Sequence, residues 1–228
     1  MKKHFTISMC LFAVLALFFV SCGESSKKSE TVTQINGHEC VDLGLPSGLK
    51  WATCNVGATA PEEYGGYFAW GETEVKDDYS FASYKWCKGN YATMTKYCTS
   101  SNYGTVDDKT VLDPEDDVAH VQWGGSWRMP TLTEQQELLA KCKWQRTELN
   151  GVPGFKVIGP NGNSIFLPAA GCVNEKKFIS KDVFGYYWSS TLYDYISYTA
   201  YDLYFGTSYQ DQYNYHRYNG LSVRAVSK

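Results

Sequence analysis

The chain has 228 residues with 21 basic and 24 acidic side chains, a formal charge of −3, and 43% hydrophobic and 16% aromatic content. That length and apolar fraction suffice for one domain with a real core and leave little room for a second. An acidic balance without a clustered basic patch excludes nucleic acid as a partner, because phosphate neutralisation needs grouped Lys and Arg.

The first residues, MKKHFTISMCLFAVLALFFVSC, set two lysines before an apolar run and a small residue before Cys22. Residues 1–21 therefore read as an export signal, too short to span a membrane. Phe19-Val20-Ser21-Cys22 resembles a bacterial lipobox, with Phe where Leu is usual; a plain cleaved signal is the alternative. The resemblance implies that Cys22 is lipidated and supplies a membrane anchor, as in an outer-membrane protein exposed at the cell surface. Residues 22–36 are polar and charged and read as a flexible tether, leaving 37–228 as the folded domain. Loss of Lys2 and Lys3 with the signal takes the charge from −3 to about −5.

Beyond the signal and the lipid site stand six cysteines, Cys40, Cys54, Cys87, Cys98, Cys142 and Cys172. An even number in an exported chain points to disulfides, with a local Cys87–Cys98 bridge across the turn-rich GNYATMTKY segment and the other pairings open. Zinc is disfavoured by the lack of a C-x-x-C motif or of histidines at ligand spacing, and no metal or cofactor is expected.

In chain order, His38–Asp42 and Leu49–Asn55 read as strands joined by LGLPSG, and Tyr67–Trp70 as a further strand. Residues 72–110, poor in aliphatics, read as a long excursion held by Cys87 and Cys98. Asp113-Pro114 offers an N-cap and a proline at the first helical position for a short helix over EDDVAHVQ. Its acids are either a solvated helix start or calcium ligands. A stronger helix follows Thr131, whose T-x-x-E spacing to Glu134 makes a capping box and which sets Leu138, Leu139 and Cys142 near one face. Asn150-Gly151 and Asn161-Gly162 are hairpin signals between apolar runs. Tyr186–Ser189, Ala200–Phe205 and Ser222–Val226 supply the last strands. The total is a β-rich α+β domain with one or two helices and long irregular loops.

Residues 185–224 hold 11 of the 18 tyrosines, and residues 190–222 contain no Lys, Glu, Met, Trp, Pro or Cys. Tyr, Asp, Ser, Thr, Asn and Gly dominate, the vocabulary of an antibody paratope: tyrosine orders only two torsions for a large contact area, and the small polar residues adapt their hydrogen bonds. Ordinary strand tyrosines are the competing reading. Ala200, Leu203, Phe205, Leu221, Val223 and Ala225 are expected as buried anchors. Tyr209, Tyr213, Tyr215 and Tyr218 have almost no aliphatic neighbours, which favours a contact surface.

VDLGLPSGLKWATCNVGA, PEEYGGYFAWGET, WGGSWRMPT, NGNSIFLPAAG, GYYWSST and SVRAV follow one another in an order that resembles the Fibrobacter succinogenes major paralogous domain family over residues 38–226. The resemblance implies a C-type lectin-like fold in which the first and last strands pair and a long loop region carries the binding face. It places Cys54, Cys87, Cys98 and Cys142 where such proteins have cysteines, and makes Cys40 and Cys172 an extra bridge. Exported members with this fold resemble targets of diversity-generating retroelements. Adenine mutagenesis of AAC codons can yield Tyr, Asp, His, Ser, Thr, Ile, Gly or Asn, but not Lys, Glu, Met or Trp. On that resemblance Tyr193, Asp194, Tyr195, Tyr198, Asp202, Tyr204, Tyr209, Asp211, Tyr213, Tyr215, His216 and Tyr218 are the variable contacts for a protein or glycan ligand, and Gln210, Gln212 and Arg217 are fixed.

An enzyme is the second reading, with thin support. There is no G-x-S-x-G, H-E-x-x-H or phosphate loop, His38, His120 and His216 are scattered, and the paired C-terminal cysteines of formylglycine-generating enzymes are missing. A calcium-dependent lectin is the third, and it lacks the Glu-Pro-Asn-like and Trp-Asn-Asp-like ligand triplets. Trp51, Trp70, Trp127 and Trp188 are expected in the core, and Arg128 and Arg224 as ties between loops.

Overall fold

A computed structural model describes residues 32–228. The signal, Cys22 and the first part of the expected tether lie outside the described residues. The domain begins earlier than residue 37: β1 (Val32–Ile35) pairs antiparallel with β2 (His38–Asp42), Ile35 facing His38 and Val32 facing Val41. Asn36 and Gly37 take φ of 48° and 82°, the left-handed pair that a two-residue hairpin turn demands and that Asn-Gly accepts at little cost.

β3 (Lys50–Ala52) lies beside β2, and the last strand, β12 (Val226–Ser227), pairs with β3 through Val226 and Trp51. Both ends of the domain thus share one sheet of order β1-β2-β3-β12, although the last strand joins β3 rather than the first. The expected strand at Tyr67–Trp70 is reduced to one bridge, Phe68 to Leu221. Residues 53–113 contain no named strand or helix.

A short 3-10 turn, Pro114–Asp116, precedes α1 (Val118–Trp123). The cap is Asp117, not Asp113: its carboxylate accepts from the backbone N–H of Ala119 and His120. α2 (Leu132–Lys141) starts with the expected box, in which Glu134 N donates to Thr131 Oγ1 and Thr131 N to the Glu134 carboxylate. Arg128 adds a two-pronged contact to the same carboxylate at 2.6 and 2.7 Å. Its buried side presents Gln135 and Leu138, with Leu139 and Cys142 only partly covered.

β4 (Lys143–Leu149), β5 (Val152–Ile158) and β6 (Ser164–Pro168) form a meander, turned at Asn150-Gly151 and again at Asn161-Gly162. A small hairpin follows, β7 (Cys172–Asn174) with β8 (Lys177–Ile179). β9 (Gly185–Leu192), β10 (Thr199–Phe205) and β11 (Gln210–His216) make the last sheet, with β11 at its edge and β10 in the middle. Among the described residues this gives two α-helices and twelve strands, a β-rich α+β domain.

Two hydrophobic clusters lie on opposite sides of the β9–β10–β11 sheet. Trp188 and Ala200 point into one with Trp70, Trp127, Cys40 and Cys172; Tyr187, Leu203 and Phe205 point into the other with Trp51, Leu138 and Val226. The period-two alternation of strands therefore lets β9 and β10 contribute side chains to both clusters. All four tryptophans expected inside are at most 1% exposed, as are the six apolar anchors of the C-terminal stretch.

The expected disulfides are not formed; all six thiols are free. Cys87 Sγ donates to Phe81 O and Cys98 Sγ to Ser100 O, both at 3.1 Å, so the two point to different local carbonyls. Cys40 donates to Thr33 O, Cys172 to Tyr215 Oη, and Cys54 lies 3.5 Å from Thr53 Oγ1. Burial beside the Glu137 carboxylate pushes the Cys142 thiol up to about 11.

Polar ties hold the long excursion instead. The Asp107 carboxylate accepts from Tyr97 N and Cys98 N, Tyr84 Oη donates to Trp70 O, and Arg217 donates to Lys96 O and Tyr97 O.

Candidate functional site

The twelve expected contact residues fall into three groups. On the face of the last sheet that β10 shares with Asp202, cross-strand pairing sets Tyr204 opposite Tyr186 and Asp211, and Asp202 opposite Tyr213. The rings of Tyr186, Tyr209 and Tyr213 surround that of Tyr204 at centroid distances of 5.1, 5.5 and 5.3 Å. Tyr186 reaches on to Tyr215 at 5.5 Å. Directly opposed and diagonal pairs of this kind are the stabilising unit of a sheet surface. Tyr209 and Tyr213 are 48% and 50% exposed, so the cluster opens to solvent on that side.

A second group closes around a cleft of about 390 Å³ lined by Tyr198, Tyr215, His216 and Tyr218 together with Asn174, Asn214 and Asn219. His216 Nδ1 and Tyr218 Oη are 2.9 Å apart. Desolvation at the cleft lowers the His216 pKa from its ordinary value. Asn219 is 1% exposed and its Oδ1 has no donor. Tyr215 belongs to both groups and joins the cleft to the open tyrosine face.

Tyr193, Asp194 and Tyr195 form the third group at the β9–β10 connection, packed against Tyr201. It is separated from the first by the sheet itself, because Tyr201 alternates with Asp202 along β10. The stretch is thus not one continuous paratope.

Asp202 departs from its expected place as a surface contact. It is 0% exposed, and neither carboxylate oxygen accepts a hydrogen bond from another residue. Its own backbone N–H is the one favourable influence on the anion, and burial pushes the carboxyl up to about 8. Cys172, Tyr186 and Tyr215 are close enough for its charge to raise each of them further. Burial alone is the larger cause in all three, and it takes the Cys172 thiol to about 11 and the Tyr186 phenol to about 12.

Several participants lie outside the Tyr-rich stretch. Phe81 lies 4.5 Å from Tyr218 with its ring tilted by 59°, and Tyr91 and Tyr103 lie 5.5 and 5.3 Å from Tyr198. Nothing in the local sequence of the excursion marks these three, since their partners are about 95 to 140 residues away. Gln212 and Arg217 are inward: Gln212 Nε2 donates to Gln135 Oε1 on α2, and Arg217 is wholly buried.

The acids of DPEDD gather as well, with ligand atoms of Asp113, Glu115 and Asp116 within 4.8 Å of one another. Lys96 Nζ already stands 2.6 Å from both Asp113 and Asp116, and Lys85 and Lys109 add further ion pairs.

The family model for a domain of unknown function (DUF8237) matches residues 139–226. That span runs from the end of α2 to the start of β12 and contains all three groups. No curated protein and no solved structure matches the chain.

Proposed function

We propose that the protein is an exported, lipid-anchored binding protein whose residues 189–223 display a ligand-contact surface on a C-type lectin-like scaffold. The anchor is Cys22, the setting is the outer surface of the cell, and the ligand is a protein or a glycan. The family resemblance that carries this reading is to the Fibrobacter succinogenes major paralogous domains, and the composition of the stretch makes the contacts diversified between sibling genes.

One observation supports the reading above the others. Tyr198, Tyr215, His216 and Tyr218 come from the end of β11 and from the turns before β10 and after β11, yet line one cleft together with Asn174, Asn214 and Asn219. Aromatic walls with a few convergent polar groups are the usual make-up of a small binding cleft.

Two measurements test it. Glycan and protein arrays probed with the full chain and with Tyr218→Ser should yield ligands lost in the variant; equal binding by both would remove the cleft from the site. Sequencing the gene from several isolates should show substitutions confined to AAY-derived codons in residues 193–218, and invariant codons there would end the diversification reading.

A further inference from the structure

The cleft of about 390 Å³ at the end of β11 has no Lys, Arg, Asp or Glu in its lining. Its aromatic walls are Tyr198, Tyr215, His216 and Tyr218, and its polar residues include Asn174 and Asn214. Solvent reaches it, since His216 is exposed and Asn174, Asn214 and Tyr218 are half-buried. Burial and then the charge of Glu175 raise the Tyr218 phenol, so one exposed acid stands near this wall without entering the lining.

Several of the polar groups at the cleft are unengaged. Neither the Asn174 nor the Asn214 side-chain amide has a hydrogen-bond partner among the described residues, and the Tyr198 hydroxyl has none either. His216 Nδ1 is taken by Tyr218 Oη at 2.9 Å, which leaves Nε2 for a ligand. Each amide brings two donors and one acceptor oxygen.

This lining discriminates between ligand chemistries. An ammonium, a carboxylate or a phosphate would leave water for a place whose walls hold no counter-charge. An apolar side chain would cover the two amides and leave them unpaired. An Asn or Gln side chain of a partner protein would answer one amide, but it is small for a cleft whose volume falls in the range of small-molecule sites. A neutral sugar meets both demands: each hydroxyl donates and accepts, as the amides require, and its C–H face lies flat against an aromatic ring.

We propose that the cleft binds a neutral saccharide, one or two rings of a glycan, without a metal ion, with Tyr198 and Tyr218 as stacking walls and Asn174 and Asn214 on its hydroxyls. The inference rests on the reading of residues 189–223 as a contact surface and names the ligand class that this part of it selects. Asn174 lies outside that stretch, so the β7–β8 hairpin joins the site.

The test titrates the full chain, in a detergent without a sugar head group, with maltotetraose, cellotetraose, mannotetraose and chitotetraose, each with and without excess chelator. Tetragalacturonate is the charged control. At least one neutral tetrasaccharide should bind saturably, with an affinity that neither chelator nor high salt changes by more than twofold. Asn174→Ala/Asn214→Ala should lose at least tenfold in that affinity with an undiminished melting temperature, because neither amide bonds to the protein. Saturating the tyrosine ring protons by NMR should transfer to the C–H protons of the bound sugar, a readout independent of any variant. No saturable binding by any of the four, tighter binding of tetragalacturonate, loss of binding in chelator, equal affinity in the double variant, or no transfer from the tyrosine rings would each overturn the proposal. Protein-array ligands lost in Tyr218→Ser while none of the saccharides binds would leave the contact-surface reading standing and sink this inference alone.

Discussion

Arg217 Nε donates to Tyr84 Oη at 2.8 Å, a bond between residues 133 positions apart that ties the end of β11 to the middle of the long excursion. The same guanidinium lies 4.8 Å from the Trp70 ring centre and donates to the carbonyls of Ser197, Tyr97 and Lys96. The fork therefore fixes three loop segments against one another, directly beneath the cleft that Tyr198 and Tyr218 line. No ion pair of Arg217 occurs among the described residues, so three carbonyls, the Tyr84 hydroxyl and the ring faces of Trp70, Tyr84 and Tyr97 share the solvation of a wholly buried charge.

Arg217→Ala should accordingly lower the unfolding free energy by about 3 to 5 kcal/mol, since several buried acceptors lose their donor at once. Arg217→Lys should recover little, because one ammonium cannot reproduce a planar fork with five donors. Urea denaturation of the three proteins measures this; a loss below about 1 kcal/mol in the alanine variant would mean that the excursion is held by its other contacts.

Much of the framework is legible in the sequence because its signals are local. The β2 boundaries, the Thr131–Glu134 box and the Asn150-Gly151 turn each depend on residues within a few positions of one another. β11 is different. Gln-Asp-Gln-Tyr-Asn-Tyr-His has no apolar alternation, and tyrosine suits either side of an edge strand, so only pairing with β10 reveals it as a strand. Asp202 shows the same limit: its burial comes from Tyr213 across the pair and from Cys172 and Tyr215, none of which its own neighbours announce. The helix cap moved from Asp113 to Asp117 because Pro114 opens a separate 3-10 turn.

Asp202 also predicts a pH dependence. Its folded pKa, pushed up to about 8 by burial, lies above the ordinary carboxylate value near 4, so the folded state favours the neutral acid. The stability it contributes is complete below about pH 4 and is lost as pH rises through 8. Among the groups around it, Cys172 at about 11 and Tyr186 at about 12 titrate above that window, as does Tyr215, also raised by burial. His38 and His216 are lowered by burial and act with the opposite sign, so the difference between wild type and Asp202→Asn isolates the carboxyl. The variant should gain on the order of 5 kcal/mol over wild type between pH 4 and 9, read from melting at unit pH steps. A parallel pair of curves would mean that Asp202 is ionised or solvated in the folded protein.

Exposure separates contact tyrosines from structural ones. Tyr209 and Tyr213, each about half exposed, should tolerate alanine at a cost within about 0.5 kcal/mol apiece, while array ligands that use the open face are lost. Tyr215 and Tyr218 pack against the core clusters, so their replacement removes buried area together with contacts and should cost about 1 to 3 kcal/mol. Thermal melts run beside array binding for Tyr209→Ala/Tyr213→Ala and for Tyr215→Ala distinguish the two; a large melting shift in the first variant would place those rings in the core.

The acidic cluster at Asp113, Glu115 and Asp116 sets a calcium reading against an ion-pair reading, and Lys96 decides between them. Its Nζ lies 2.6 Å from both Asp113 and Asp116, and hydrogen bonds to these carboxylates hold the lysine pKa well above its ordinary value. Lys109 first and then Lys96 hold the Asp113 carboxyl below its ordinary value, and against the effect of burial Lys96, Tyr97 and Lys85 hold that of Asp116 below its own. A divalent ion placed there would have to displace an ammonium that already satisfies the buried Asp116. Excess chelator should therefore leave the melting temperature unchanged. Lys96→Met should destabilise by about 2 to 4 kcal/mol by stranding Asp116 with Lys85 and Tyr97 alone. Added calcium should restore part of that loss only in the variant, where the acids keep their geometry without their cation. A chelator effect on the wild-type protein would reverse the assignment and make the cluster a metal site.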